Sequence, residues 1–275
     1  MGKRPIDILV ISDVHLGTYG CKAKELVTYL QSIEPRLIVI NGDFIDGWQF
    51  NKKYFPKSHI QVIQEILQFV NRGVQVVYIS GNHDEFLRKY NTFNLGSFRL
   101  CNKFLLKVDD KVHWFFHGDV FDGTTKGATK IIAKLGGYGY DLLIMLNTAI
   151  NFCLKLFNRE KMSLSKRIKN SIKKAISWIN NFEQTAAEIA IESNYQVVIC
   201  GHIHQPQKRI VKTKEGSVLY LNSGDWIENL SSLEYYNNNW HIYYYKETQT
   251  EQKPKQKIIA LEIESLLTKK IVVLI

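Results

Sequence analysis

Two histidines lie two residues apart in "VVICGHIHQP" (197–206), directly after an apolar run typical of a buried strand. An imidazole pair at this spacing, His202 and His204, could bind a metal ion. It could equally be two polar side chains in a loop that follows a strand. The pair alone does not decide between these interpretations, so the rest of the chain has to be searched for matching ligand types.

Four other apolar segments end in similar clusters, in "SDVHLG", "NGDFIDGW", "SGNHDEF" and "FFHGDVFD". Carboxylate, amide and imidazole donors are mixed in these clusters, and thiolates are missing from them. Such a donor set suits Mn, Fe or Zn better than Mg or Ca, and it argues against a structural zinc site. The clusters supply Asp13, His15, Asp43, Asp46, Asn82, His83, Asp84, His117 and Asp119.

Strands and helices alternate in the first part of the chain. The apolar runs 6–12, 36–42 and 74–80 read as strands, and 22–33 and 58–73 have helical spacing. This alternation predicts parallel strands with helices on the sheet faces. Because ligands collect at the carboxyl ends of such strands, we expect the clusters to meet at one rim.

The hydrophobic pattern of the sequence changes after residue 98. A hairpin that turns at Asp109-Asp110 is predicted by "FLLKVDDKVHWFFHG". Further strands are predicted at 195–201, "PQKRIVK", "SVLYLNSG" and "WHIYYYK". Between the hairpin and these strands, 124–192 reads as helical throughout. The predicted fold is therefore α/β with a long helical insertion.

The domain boundaries follow from these patterns. Residues 1–246 are expected to form one domain with the helical insertion 124–192, and 247–275 to form a polar linker and a C-terminal tail.

The ordered set D-x-H, G-D-x-x-D, G-N-H-D, H-G-D and G-H-x-H, from Asp13 to His204, resembles the calcineurin-like metallophosphoesterases. The resemblance implies a four-layer α-β-β-α sandwich and two divalent metal ions, Mn first and Fe or Zn as alternatives. It also implies that a metal-activated hydroxide attacks phosphorus. The implied ligands are Asp13, His15, Asp43 and His204 for the first metal, and Asp43 as bridge with Asn82, His117 and His202 for the second.

Three further residues receive roles from the same resemblance. His83 is the expected general acid or transition-state stabiliser, with Asp84 orienting its ring. Asp46 is expected to hold the site through hydrogen bonds. Asp46 and Asp84 could instead simply cap helices. The remaining polar residues are expected outside the site, with Asp119 and Asp122 in a loop and His59, His113 and His241 on the surface or in strands.

Over residues 6–245 the chain resembles more narrowly the UDP-2,3-diacylglucosamine diphosphatases, which produce UMP and a diacylated glucosamine 1-phosphate. That likeness implies a nucleotide-sugar lipid as substrate. His83 departs from it, because the well-characterised branch has arginine there. Another phosphomonoester, phosphodiester or nucleotide therefore stays open as substrate, as does a binding module that kept the fold and lost the chemistry.

The net charge of +10, from 36 Lys+Arg against 26 Asp+Glu, favours an anionic partner or substrate. Basic residues concentrate in 163–182, beside the apolar run 140–157, and this pair could form a lid over acyl chains at an anionic membrane surface. An ordinary helical hairpin with a solvated basic face is the alternative. Recognition motifs for nucleic acid are missing, so no specific nucleic-acid partner is expected. The oligomeric state stays open.

Cellular location is predicted from three features. The four cysteines are scattered, which fits a reducing cytoplasm. No signal peptide precedes the first strand, and the longest apolar run is interrupted by polar residues. We therefore expect a cytoplasmic protein, peripheral on the inner face of the cytoplasmic membrane.

Overall fold

The computed structural model describes residues 2–49, 54–121, 179 and 181–246. All of these except Lys246 belong to one compact unit, Met1–Tyr245. Of the predicted insertion 124–192, only 179 and 181–192 are described, and these are helical. The proposed lid otherwise lies outside the described residues, as does the tail 247–275.

The first sheet has seven strands and is built around four parallel ones. The elements of this half are β1 (Arg4–Ile11), α1 (Ala23–Ser32), β2 (Ile33–Asn41), α2 (Lys57–Asn71), β3 (Gln75–Ile79), β4 (Asn94–Leu95), β5 (Phe98–Cys101), β11 (Ser231–Tyr236) and β12 (Asn239–Tyr244). The strand order in the sheet is β12-β11-β1-β2-β3-β5-β4. The predicted strands and helices of this half are confirmed to within a few residues at each end.

The second sheet has five strands, β6 (Phe104–Val108), β7 (Lys111–Phe115), β8 (Val197–Cys200), β9 (Gln207–Lys212) and β10 (Ser217–Asn222). Their order in the sheet is β6-β7-β8-β10-β9. The predicted hairpin is β6–β7, and it turns at Asp109 and Asp110, whose φ angles are +48° and +60°. Parallel pairing of β7 with β8 places the ends of these two strands side by side.

Three apolar clusters separate four layers. Helices α1 and α2 cover the outer face of the first sheet, and α2 does so through Val62, Ile66 and Phe69, spaced for one helical face. Between the two sheets lies a second cluster that includes Val10 and Phe115. Helix α3 (181–192) packs its alanines on the outer face of the second sheet. The predicted α-β-β-α order is confirmed.

Sequence patterns missed β11, which pairs antiparallel with β1. Its sequence, "SSLEYY", includes two serines and a glutamate that are all buried, so it lacks the apolar run that predicts a buried strand. The Glu234 carboxylate is stabilised there by two 2.7 Å hydrogen bonds from Arg4 and one of 2.6 Å from Tyr29. Among the described residues, no helix is long and apolar enough to cross a membrane.

Candidate metal centre

The rims of both sheets contribute to one polar cluster. The loops after β1, β2 and β3 supply residues from the first sheet, and the loops after β7 and β8 supply residues from the second. All are buried or partly buried. The first group is Asp13, His15, Asp43 and Asn82, and the second is His117, His202 and His204.

The backbone of these loops is strained. Asp13, His15, Asp43, His202 and His204 have φ angles of +52°, +51°, +52°, +68° and +53°. Left-handed backbone at a residue other than glycine costs about 1–3 kcal/mol where the surroundings force it. Backbone hydrogen bonds between the first two loops hold this geometry, from Asp13 N–H to Gly42 O at 3.1 Å and from His15 N–H to Asp43 O at 2.9 Å. Strain concentrated at one rim indicates a functional site.

Asp13, His15 and His204 form one convergent group, with one ligand atom from each lying within 4.8 Å of the others. Nε2 of His204 is 3.2 Å from Oδ1 of Asp13 and 3.4 Å from Nε2 of His15. The carboxylate of Asp13 is fixed by the Ser12 hydroxyl at 2.5 Å and by the His202 N–H at 3.1 Å, both to Oδ2.

Asp43, His117 and His202 form the second convergent group, and one ligand atom from each again lies within 4.8 Å of the others. Oδ2 of Asp43 lies 3.1 Å from Nε2 of His117 and 4.0 Å from Nε2 of His15. The Oδ1 atom of the same carboxylate accepts the His83 N–H at 2.8 Å. Asp43 therefore stands between the two groups.

The outer ring nitrogens of three histidines face acceptors. Nδ1 of His117 lies 2.9 Å from the Asn41 carbonyl oxygen, and Nδ1 of His15 lies 3.5 Å from Oδ2 of Asp46. Nδ1 of His204 lies 3.3 Å from Oδ2 of Asp225. An acceptor at Nδ1 keeps the proton there and leaves the Nε2 lone pair facing the cluster, as a metal ligand requires.

Two observations test whether a divalent metal fits this cluster. Oδ1 of Asn82 is buried and has no hydrogen-bond partner within the described residues, so it is an acceptor without a donor. Gly81 allows the close approach of Asp43, because a Cβ at that glycine would lie 2.2 Å from Asp43 Oδ1. The oxygen and imidazole donor set, with no thiolate, suits Mn, Fe or Zn. The residues present fit the metals.

The charges of the cluster influence each other strongly. Burial by itself would lower the pKa of His117, but the Asp43 carboxylate outweighs it and raises that pKa to about 10. Burial would raise the pKa of Asp43, and the neighbouring His117, His15 and His83 instead hold it well below its usual range. Without metal, therefore, a proton on His117 balances part of the negative charge of the carboxylates.

The expectation that Asp84 orients the His83 ring is wrong. The carboxylate that faces this ring is Asp46, with its Oδ1 at 3.1 Å from Nδ1 of His83. Both oxygens of Asp84 are used elsewhere: Oδ1 accepts the Gly81 N–H at 2.6 Å, and Oδ2 accepts the Tyr78 hydroxyl at 2.6 Å and the Phe44 N–H at 2.9 Å. Asp84 thus fixes the loop rather than the ring. It makes no side-chain cap of the 3-10 helix Glu85–Tyr90 that follows it.

His83 lies beside the cluster with part of its side chain open to solvent. One of its ring nitrogens is within 4.8 Å of ligand atoms of His15 and Asp43, and the Trp48 ring covers it at a centroid distance of 4.0 Å. Burial would lower the pKa of His83, but the carboxylates of Asp46 and Asp43 outweigh it and raise that pKa above its ordinary value. The two carboxylates therefore favour the protonated form of the ring.

The polar residues expected outside the site lie partly where the sequence predicts them. Asp119 forms an ion pair with Arg88, and His113 and His241 lie in strands as expected. Asp122 lies outside the described residues. The expectation for His59 is wrong, since it is buried on α2 and its Nδ1 accepts the Gly17 N–H at 3.0 Å. Sequence reasoning also missed Asp225, whose only signal was its place in "NSGDW" after a strand.

A family model described as calcineurin-like phosphoesterase matches residues 6–206. The chain belongs to the calcineurin-like phosphoesterase family. This phosphoesterase is thus a hydrolase, and its family implies the divalent metal ions that the two convergent groups would hold.

Curated relatives of this phosphoesterase include two proteins named UDP-2,3-diacylglucosamine hydrolase. The one from Blochmanniella pennsylvanica is 23% identical over 83% of this chain and 92% of its own length. The one from Aliivibrio fischeri is 24% identical over 83% of this chain and 94% of its own length. Among solved structures, a phosphoesterase from E. coli is 11% identical, covers 87% of this chain and 99% of its own, and has a TM-score of 0.40.

Proposed function

We propose that this protein is a dinuclear metal-dependent hydrolase that cleaves the pyrophosphate of UDP-2,3-diacylglucosamine or a close lipid-linked nucleotide sugar. The products would be UMP and a diacylated sugar 1-phosphate. The observation that carries this substrate is the match to hydrolases of that name over 83% of this chain and more than nine-tenths of theirs.

The proposed ligands follow the two convergent groups. Asp13, His15, Asp43 and His204 would hold the first metal, and Asp43, Asn82, His117 and His202 the second. The position of Asp43 Oδ2, at 3.1 Å from His117 and 4.0 Å from His15, supports its role as the bridge. A shared carboxylate would offset the repulsion between two cations about 4 Å apart.

When bound, the two metal ions would polarise a phosphate group and lower the pKa of a coordinated water toward 7. The protein's own contribution is to fix the donors before substrate arrives. Hydrogen bonds from Ser12 and the His202 backbone hold Asp13, and the His83 backbone holds Asp43. Donors held in advance cost no reorganisation during the reaction.

His83 is the proposed general acid, and Asp46 its positioning residue. Asp46 Oδ1 would hold the proton at Nδ1 of His83, so that the proton at Nε2 is free to pass to the leaving oxygen. The raised pKa of His83 supports this role, since the acid must be protonated at neutral pH. Asp84 would act only through the loop that it fixes.

Manganese is the proposed metal, with iron or zinc as alternatives that the same donors accept. Residues 1–246 would form the catalytic domain, the insertion 124–192 a lid over the acyl chains, and 247–275 a separate tail. A lipid substrate and a net charge of +10 support a cytoplasmic protein that sits peripherally on an anionic membrane surface.

A second candidate is hydrolysis of another phosphoester by the same centre. His83 favours it, because the family branch that the chain resembles has arginine at that position. An imidazole can supply a proton that a guanidinium cannot. With a proton from His83, the enzyme could expel a more basic leaving group than a nucleotide phosphate.

The test is turnover of UDP-2,3-diacylglucosamine by the manganese-loaded protein, beside UDP-glucose and bis(p-nitrophenyl) phosphate. We expect UMP release from the diacylated substrate and little from UDP-glucose. Hydrolysis of the small diester with none of the lipid substrate would reject the lipid substrate and favour the second candidate. Hydrolysis of none of them by metal-loaded protein would reject both.

A further inference from the structure

Asp225 is a buried carboxylate that none of the five motifs includes. It lies in the loop between β10 and β11, with 1% of its surface exposed. Gly224 before it has a φ of +74°, and a Cβ there would lie 2.0 Å from the Ser231 hydroxyl oxygen. The loop is therefore tightly folded, and the position of Asp225 in it is fixed.

The two oxygens of the Asp225 carboxylate have different partners. Oδ1 accepts three backbone N–H groups, from Ile227 at 3.0 Å, Glu228 at 2.7 Å and Asn229 at 2.9 Å. Oδ2 accepts the Asn229 side-chain amide at 3.1 Å and lies 3.3 Å from Nδ1 of His204. Oδ1 thus shapes the loop, whereas Oδ2 faces the candidate metal centre.

We propose that Asp225 is the positioning residue of His204, fixing the proton on Nδ1 so that Nε2 can bind the first metal. This inference rests on the proposed metal centre but not on the proposed substrate. Nε2 of His204 is 3.2 Å from Asp13 Oδ1, on the side of the ring that faces the convergent group. The opposite nitrogen has to carry the proton if Nε2 is to donate its lone pair.

His204 depends on such a partner because its side chain is 38% exposed, whereas those of His15 and His117 are 5% and 1% exposed. The other two rings are constrained by close packing as well as by their own acceptors at Nδ1, Asp46 and the Asn41 carbonyl. The ring of His204 is constrained on one side by the cluster and on the other by Asp225. Asn229 adds a second restraint, since its amide donates to the His204 carbonyl at 2.8 Å as well as to Asp225.

Asp225→Asn separates the two functions of the carboxylate. Asparagine keeps an oxygen for the three backbone N–H groups and presents an NH2 group to Nδ1 of His204. That NH2 favours the tautomer with the proton on Nε2, which cannot bind metal. Glu234→Gln is the matched control, because Glu234 is also a buried carboxylate and lies on the neighbouring β11, bound to Arg4 and Tyr29.

The experiment is a calorimetric titration of the metal-free full-length protein with Mn²⁺. Wild type and Glu234→Gln should bind two ions. Asp225→Asn should bind one ion as wild type does and the other about 10- to 100-fold more weakly. In the double variant with His204→Ala, Asp225→Asn should add no further loss. Unchanged affinity at both sites, or equal weakening of both, would overturn the proposal.

A second measurement covers the case in which Asp225→Asn does not fold. The second sample is the wild-type protein loaded with Zn²⁺ and labelled with ¹⁵N-histidine, studied by NMR. Its spectrum should show the His204 proton on Nδ1, in a hydrogen bond to the Asp225 carboxylate. A proton on Nε2, or rapid averaging between the tautomers, would overturn the proposal. Failure of the wild type to bind two metals would instead reject the metal centre itself.

Discussion

Oδ2 of Asp43 lies 3.1 Å from Nε2 of His117, although the two residues follow strands of different sheets. The same oxygen is 4.0 Å from His15, so one carboxylate serves both convergent groups. We predict that Asp43→Ala loses both metal ions together, because neither site keeps its shared ligand. Metal content after dialysis measures this, with the half-exposed Asp7 replaced by alanine as the control. Two ions retained by Asp43→Ala would refute the bridge.

The pair of His83 and Asp46 predicts how activity depends on pH. A general acid works in its protonated form, so the rate should fall as pH rises through the pKa of His83, which Asp46 helps to raise. Asp46→Asn should therefore move this falling limb to lower pH. The measurement is the profile of kcat/KM against pH for both proteins. A limb that stays in place or moves to higher pH contradicts the assignment.

Leaving-group dependence tests His83 separately. We predict that His83→Ala slows hydrolysis of an alkyl phosphodiester by about 10²- to 10⁴-fold, because that leaving group needs a proton. Hydrolysis of a p-nitrophenyl diester should slow much less, since p-nitrophenolate leaves without one. Equal losses with both substrates would place His83 in binding or in electrostatic stabilisation instead.

Metal binding should release protons. The pKa of His117 is raised to about 10, mainly by Asp43 against the effect of burial, so this imidazole is protonated at pH 7 without metal. A metal can bind only after that proton leaves, and affinity should therefore increase as pH rises from 6 to 9. Calorimetry in two buffers of different ionisation enthalpy measures the protons released. An identical heat of binding in both buffers would contradict the prediction.

His59 should stabilise the loop that carries His15. Its Nδ1 accepts the buried Gly17 N–H at 3.0 Å, so His59→Leu leaves that donor unpaired and should cost about 1–3 kcal/mol in the free energy of unfolding. His59→Asn is the control, because an amide oxygen can occupy the place of Nδ1. Denaturant unfolding compares the two, and equal loss in both variants would show that packing, not the hydrogen bond, is what matters.

Burial also gives His59 a pH dependence. It lowers the pKa of His59, so the folded state keeps the ring neutral while the unfolded state takes up a proton below about pH 6.5. This group's contribution to stability therefore decreases as pH falls below that value. The loss between pH 7 and 5.5 should be smaller in His59→Asn than in wild type.

The sequence motifs predicted that polar residues from five strand ends would lie close together, because the carboxyl ends of parallel strands share a rim. Their partners could not be predicted in the same way. The contact of Asp46 with His83 depends on how the loop after β2 folds back over the loop after β3, and spacing does not encode that. Asp225 and β11 were missed for a related reason, since short polar segments become buried only when the surrounding strands supply their hydrogen bonds.

The residues of the cluster are far apart in the sequence, and this separation determines when the cluster can form during synthesis and folding. His202 follows Asp13 by 189 residues, yet its backbone N–H donates to that carboxylate. A growing chain therefore lacks a complete centre until most of it has been synthesised, and contacts of this sequence separation form late in folding. Capture of the first metal would thus require strands of both sheets to be in place, and chains that end before His204 would not sequester the ion.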